Sequence, residues 1–325
     1  MKRSRYTLPL LVFLSVSILL SIVQINVDNP MILLERFFQG GGWIEIPIVA
    51  FYGSLVAYKM QDPKKQPLWR IRTWTLFSII FFSQLAIGLA GVDRFLMTGE
   101  LHLPIPAMIL AGPVYRTEIG FMTVLFLSTI LISGPAWCSQ LCYFGALDGL
   151  ASKTRGSKKD KSIKTGPYKI VGLVLVVSIT LLLKLLNVDT LIATVIALLF
   201  ASGGLLVMLL ISRKKGKMVH CLTYCPIGTI VNYTRFINPF RFKIDNSCTN
   251  CMRCIPVCKY DALNPENIKL KSPGITCTLC GDCVSACKPN SFYYKFPGLG
   301  PVASRNLYIG VTITLHAMFM ALARI

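Results

Sequence analysis

Hydrophobic positions along the chain fall into long runs, and the run lengths predict its elements. Nearly uninterrupted apolar stretches cover about residues 7–24, 43–58, 72–92, 117–135, 168–187, 190–211 and 306–323. Most approach the roughly 20 residues that an α-helix needs to cross a bilayer, the second and seventh being the shortest. The pattern predicts an all-α polytopic membrane protein of about seven transmembrane helices. Three prolines interrupt the apolar segment 103–113 (LPIPAMILAGP), which is too short to cross and reads as re-entrant or interfacial. The stretch 151–169 (ASKTRGSKKDKSIKTGPYK) has no periodic apolar face and reads as a solvated loop near anionic lipid headgroups. Residues 236–300 lack any long apolar run and form a small soluble domain. The chain therefore divides into a two-span region (1–70), repeated transmembrane hairpins (71–235), the soluble domain (236–300) and a last apolar helix (301–325). The first run exits through SIVQINVDN without an A-x-A-like cleavage site and reads as a retained span.

Composition agrees with this division. A chain of 325 residues that is 54% hydrophobic and 15% charged is too apolar for an ordinary soluble protein. The formal net charge of +20 does not mark a nucleic-acid binder, because its basic residues lie between apolar runs and do not collect on one folded face. They instead set topology. With the N-terminus inside, all but five of the 34 Lys and Arg (Arg36, Arg94, Arg116, Lys184 and Arg324) fall on the inner side of a seven-span arrangement. The soluble domain then lies in the cytoplasm, where thiols stay reduced. All 12 cysteines sit in short spaced motifs, a distribution that favours metal ligation over a disulfide framework.

Eight of these cysteines form CTNCMRCIPVC and CTLCGDCVSAC, two copies of C-x-x-C-x-x-C-x-x-x-C. This is the spacing by which bacterial two-cluster ferredoxins hold their clusters, the fourth cysteine of each run being exchanged with the other. One 4Fe-4S cluster is expected on Cys248, Cys251, Cys254 and Cys287, and the second on Cys277, Cys280, Cys283 and Cys258. Residues 236–300 are thus expected to form a small α+β ferredoxin-like domain. Lys259 stands where a proline usually follows the fourth cysteine, a departure that leaves the ligands intact. A pair of zinc sites fits poorly, since zinc needs two cysteine pairs per site and not two runs of four.

The other four cysteines come as matched pairs, WCSQLCYFGAL and HCLTYCPIGTI. Cys138 matches Cys221, Cys142 matches Cys225 and Gly145 matches Gly228 at one constant offset, which marks an internal repeat of span hairpins. Residues four apart share a face of an α-helix, so each pair is expected to present two thiols to a common point between the hairpins. The four thiolates suit an iron–sulfur cluster or zinc; the alternative is reduced buried thiols or a disulfide. The basic residues Arg213, Lys214, Lys215 and Lys217 precede the second pair and are expected to stabilise its thiolates. Of the three histidines, His102 lies in an outer loop, His316 in the last run and His220 beside Cys221, a distribution unsuited to a bis-histidine haem. Asp93, Arg94, Glu100, Arg116 and Glu118 cluster near span ends beside the re-entrant segment; they read as anchors of the span ends, or as a polar relay of the kind that quinone chemistry needs.

A duplicated span hairpin ending in WCSQLC and HCLTYCP, followed by both four-cysteine runs, resembles the membrane ferredoxin-type proteins of the NapH and NosR kind. The resemblance covers about residues 71–296; Tyr143 follows Cys142 where the motif has proline, and the first, second and seventh spans are additions. It implies a multi-pass protein of a prokaryotic inner (cytoplasmic) membrane, surrounded by lipid. Its implied work is that of a non-autonomous subunit of an oxidoreductase complex, which moves electrons between partner redox proteins and the quinone pool. No catalytic nucleophile, paired general base or nucleotide loop is visible. A maturation factor that reduces a metal ion for another enzyme, or an anchor that relays electrons, are the other readings the sequence leaves open.

Overall fold

The computed structural model describes residues 5–96, 101, 103–153, 163 and 166–322; Glu100, His102, Arg324 and nearly all of loop 154–165 lie outside the described residues. Three helices open the chain: α1 (Thr7–Asn26), α2 (Gly41–Met60) and α3 (Gln66–Leu89). After α4 (Met108–Arg116) come the two repeat units. The first contains α5 (Phe121–Ser133), a wide turn at Trp137–Leu141 and α6 (Tyr143–Ala151). The second contains α7 (Gly166–Leu185), α8 (Thr190–Leu206) extended through α9 (Arg213–Lys215), a wide turn at His220–Tyr224 and α10 (Pro226–Thr234).

Among the described residues, five helical segments are long and apolar enough to cross a membrane: Thr7–Asn26, Gln66–Leu89, Met122–Leu141, Gly166–Leu185 and Thr190–Lys215. The second and seventh expected spans are present as α2 and as the closing helix α13 (Pro301–Leu322), of 20 and 22 residues. Neither is among the five segments above, although their charged residues do not set them apart, since α3 carries Arg70 and Arg72. The re-entrant segment becomes α4, whose nine residues reach only about 14 Å at the α-helical rise.

Helices α1, α2 and α13 pack closely through small residues. A Cβ at Gly53 would meet Ala317 and Val12, each at 3.4 Å, and Ala50, Ala57, Ala317 and Ala321 are fully buried beside Val16 and Leu20. Such residues let backbones approach so that dispersion contacts accumulate, the term that holds helices together in lipid. On the outer face of α1, Leu10, Leu11, Leu14 and Ile18 stay exposed.

Residues 241–295 fold around a two-stranded antiparallel sheet, β1 (Arg241–Ile244) with β2 (Phe292–Lys295), Ile244 facing Phe292 in register. Period-two alternation buries Phe242, Ile244, Phe292 and Tyr294, which close over Leu263, Ile268 and Leu279. Short helices α11 (Pro265–Lys269) and α12 (Asp282–Ala286) complete this α+β unit. Tyr294 stacks on Tyr308 of α13, with ring centres 4.8 Å apart. Arg305 ties the start of α13 to the α2–α3 connection through the carbonyls of Met60 and Gln61 and the amide oxygen of Gln66.

Candidate functional site

In the small domain the two exchanged cysteine sets are each brought together. Cys258, Cys277, Cys280 and Cys283 line one cavity. Cys254 lies within electrostatic reach of Cys287, Cys248 and Cys251. With only protein around them, burial and then the neighbouring thiols push Cys254 up to about 11; burial and then Cys277 push Cys258 up to about 12. Burial thus favours the neutral form of Cys254 and Cys258, so metal binding there would release protons. None of the 12 cysteines is disulfide-bonded.

The C-x-x-x-C pairs repeat element for element, but not as expected. Two thiols on one face of a regular α-helix are not found. In each unit the first cysteine lies in a π turn, where the N–H of the second reaches back five residues: Cys142 to the Trp137 carbonyl at 2.9 Å, Cys225 to the His220 carbonyl at 3.0 Å. The second cysteine is extended (φ −84°, ψ 114° at Cys142; φ −76°, ψ 118° at Cys225) and starts the following helix. Its sulfur then accepts N–H groups of that helix's first turn, from Phe144 and Gly145 in one unit and from Ile227 and Gly228 in the other. Tyr143, in the place of the expected proline, leaves this geometry unchanged.

Gly145 and Gly228 match because each packs against the carbonyl of the first cysteine. A Cβ there would lie 2.8 Å from the Cys138 oxygen or 2.7 Å from the Cys221 oxygen. The four thiols share one electrostatic neighbourhood, Cys221 reaching Cys225, Cys138 and Cys142. Across the repeat, the Cys221 N–H donates to Asp148 at 3.0 Å. Asp148 is fully buried, and burial pushes its carboxyl up to about 6.

The cation beside these thiols is not the one expected. Arg213, Lys214 and Lys215 are exposed, and Lys217 pairs with Asp261. Among the described residues it is the charge of Lys169 that reaches Cys138, Cys221 and Cys225; the side chain is 5% exposed, and its ammonium has no hydrogen-bond partner there. A buried ammonium is costly unless an anion faces it. A four-thiolate cluster carries net negative charge, so the donor set and its orphaned cation fit an iron–sulfur group. Sequence reasoning missed Lys169 and Asp148, which no motif marks.

The small domain is bolted to this turn. Tyr260 donates to the Cys138 carbonyl at 2.9 Å, and Ser139 donates to the Thr278 carbonyl at 3.1 Å. Arg70 of α3 bridges both sides, its Nη1 donating to the Ser139 carbonyl at 3.0 Å and its Nη2 to both carboxylate oxygens of Asp282 at 2.9 and 3.0 Å. Lys259 reaches the carbonyls of Ser152 and Gly216. The departure from proline noted in the sequence therefore supplies a docking contact.

Of the outer ionisable residues, Arg116 lines a cavity; Asp93, Arg94 and Glu118 do not gather around it. His316 is buried between the Tyr52 hydroxyl (3.0 Å) and the Gln140 carbonyl (3.2 Å). His220 packs against Phe144 and Tyr224.

A family model described as a 4Fe-4S binding domain matches residues 117–162 and 193–244. Each matched segment contains one C-x-x-x-C turn, and neither reaches the runs that begin at Cys248. An uncharacterised protein of Methanocaldococcus jannaschii is 26% identical over 178 residues, 50% of this chain and 65% of that protein. The chain thus spans just under two thirds of that relative's length. No solved structure matches the chain. The family match and the clustered cysteines support a ferredoxin-like iron–sulfur protein that binds 4Fe-4S groups and carries helices able to cross a membrane.

Proposed function

We propose that the chain is a membrane-integral electron-transfer subunit that links partner redox proteins on the cytoplasmic side to the quinone pool of a prokaryotic inner membrane. In this reading Cys248, Cys251, Cys254 and Cys287 hold one 4Fe-4S cluster, and Cys277, Cys280, Cys283 and Cys258 hold another. Cys138, Cys142, Cys221 and Cys225 hold a third centre. Among the described residues no three His, Cys, Asp or Glu side chains converge tightly enough for a single metal ion. The sulfurs of each set would hold the iron of a cluster. Helices α2 and α13 join the five more apolar segments to give seven spans, with the basic loops and the small domain inside.

The observation that carries this reading is the bond from Tyr260, two residues beyond Cys258, to the backbone of Cys138. It puts the second ferredoxin set and the hairpin set in one continuous packed unit, as stepwise electron transfer requires. The chain's residues supply charge compensation (Lys169), N–H donors to sulfur and a fixed docking geometry; the clusters, when bound, supply one-electron redox chemistry. The test is iron and acid-labile sulfide per chain after anaerobic purification. About twelve irons are expected in the native chain and about eight when Cys138, Cys142, Cys221 and Cys225 are all replaced by serine. About eight irons in both proteins would remove the third centre.

A further inference from the structure

Beside the turn that carries Cys138 and Cys142 the structure contains a cavity of about 400 Å³ with mainly apolar walls. Trp137, Leu141 and Tyr143 line it, so it is bordered by the covalent neighbours of both cysteines. Phe77 and Phe81 of α3 contribute another part of the wall, and Tyr143 lies face to face with Phe81 at 3.8 Å. The Trp137 ring is fixed edge-on between Phe126 (4.9 Å) and Phe319 (5.4 Å). Trp137 is 5% exposed, yet its indole N–H has no acceptor among the described residues. Folded interiors rarely leave such a donor unpaired, and an unpaired one at a cavity wall points to an acceptor that arrives with a ligand.

The chemistry of the walls narrows that ligand. Aromatic faces favour a planar ring, the mainly apolar walls favour a hydrocarbon tail, and the unpaired Trp137 N–H requires an acceptor such as a carbonyl oxygen; Arg36 and Arg116 also reach the lining and favour a head that carries oxygen acceptors. We propose that this cavity binds a lipid-soluble quinone, one ring carbonyl accepting a hydrogen bond from the Trp137 Nε1, against the turn that holds Cys138 and Cys142. The proposal rests on the quinone-linked reading above and gives it a place. It shares Arg116 with the outer ionisable cluster suggested by the sequence, but its anchoring donor belongs to the cysteine turn.

The test uses the full chain, purified anaerobically into nanodiscs of phosphatidylethanolamine and phosphatidylglycerol. The probe is a photoactivatable azidoquinone with a short alkyl tail, competed with decylubiquinone. Expected labelling falls in residues 103–125 or 137–143. Trp137→Phe, which keeps the ring but removes the N–H, is expected to weaken binding about tenfold. Leu125→Trp, which fills the cavity from α5, is expected to abolish labelling. Both variants are scored only with native iron content and absorption spectrum. Saturable labelling elsewhere, unchanged in both variants, would overturn the cavity and leave the quinone-linked reading standing. Native affinity in Trp137→Phe with labelling still in the cavity would overturn the role of the indole. Failure of any quinone to bind, with phospholipid retained in the cavity by native mass spectrometry, would overturn both readings.

Discussion

The Tyr260 hydroxyl donates a 2.9 Å hydrogen bond to the carbonyl of Cys138, joining two residues far apart in the chain and 3% and 8% exposed. Replacing Tyr260 by Phe leaves that carbonyl buried without its donor, at a cost of about 1–3 kcal/mol. The variant is expected to keep its iron and to lose cluster absorbance at a temperature a few degrees below the native chain. An unchanged melting curve would show that this bond contributes nothing to docking.

The paired glycines give a sharper test of the repeat. In Gly228→Ala the new methyl would lie 2.7 Å from the Cys221 carbonyl oxygen, and in Gly145→Ala 2.8 Å from the Cys138 oxygen. Backbone atoms cannot step aside as side-chain tips do, so the cysteine turn must open. Either variant is expected to lose about four irons while the ferredoxin-like sets keep theirs. Gly166→Ala, where nothing lies within 4 Å, serves as the control and is expected to keep all of its iron.

Lys169→Met keeps the length of the side chain and removes its charge from the neighbourhood of Cys138, Cys221 and Cys225. A positive charge favours the more negative, reduced form of a centre, so its loss lowers the reduction potential. At an effective dielectric constant near 20 a charge several ångströms away is worth a few kcal/mol, on the order of 100 mV for one electron. Redox titration followed by electron paramagnetic resonance is expected to show a drop of that order in one centre alone. Unshifted potentials throughout would place Lys169 outside the field of any cluster.

Much of the fold was legible because its signals are local. A run of about 20 apolar residues needs no partner to identify it as a helix of membrane length, which is why α1, α3, α7 and α8 fall close to their expected positions. Helices α2 and α13 have the length but lie outside the five segments apolar enough by composition, so their crossing rests on topology. The two four-cysteine runs were legible through spacing alone, and Cys258, Cys277, Cys280 and Cys283 line one cavity.

For the C-x-x-x-C pairs the sequence determined the repeat, the thiols and the matched glycines, since these are properties of residue identity and offset. Only the tertiary structure decided the shape of each turn. A spacing of four fits one face of an α-helix, but breaking the helix at the second cysteine lets its sulfur accept the unpaired N–H groups of the next helix. The residues around the thiols were likewise beyond sequence. Asp148, Lys169 and Tyr260 each come from a different segment, and a buried charge or hydroxyl acquires its meaning only from the partner that packing brings to it.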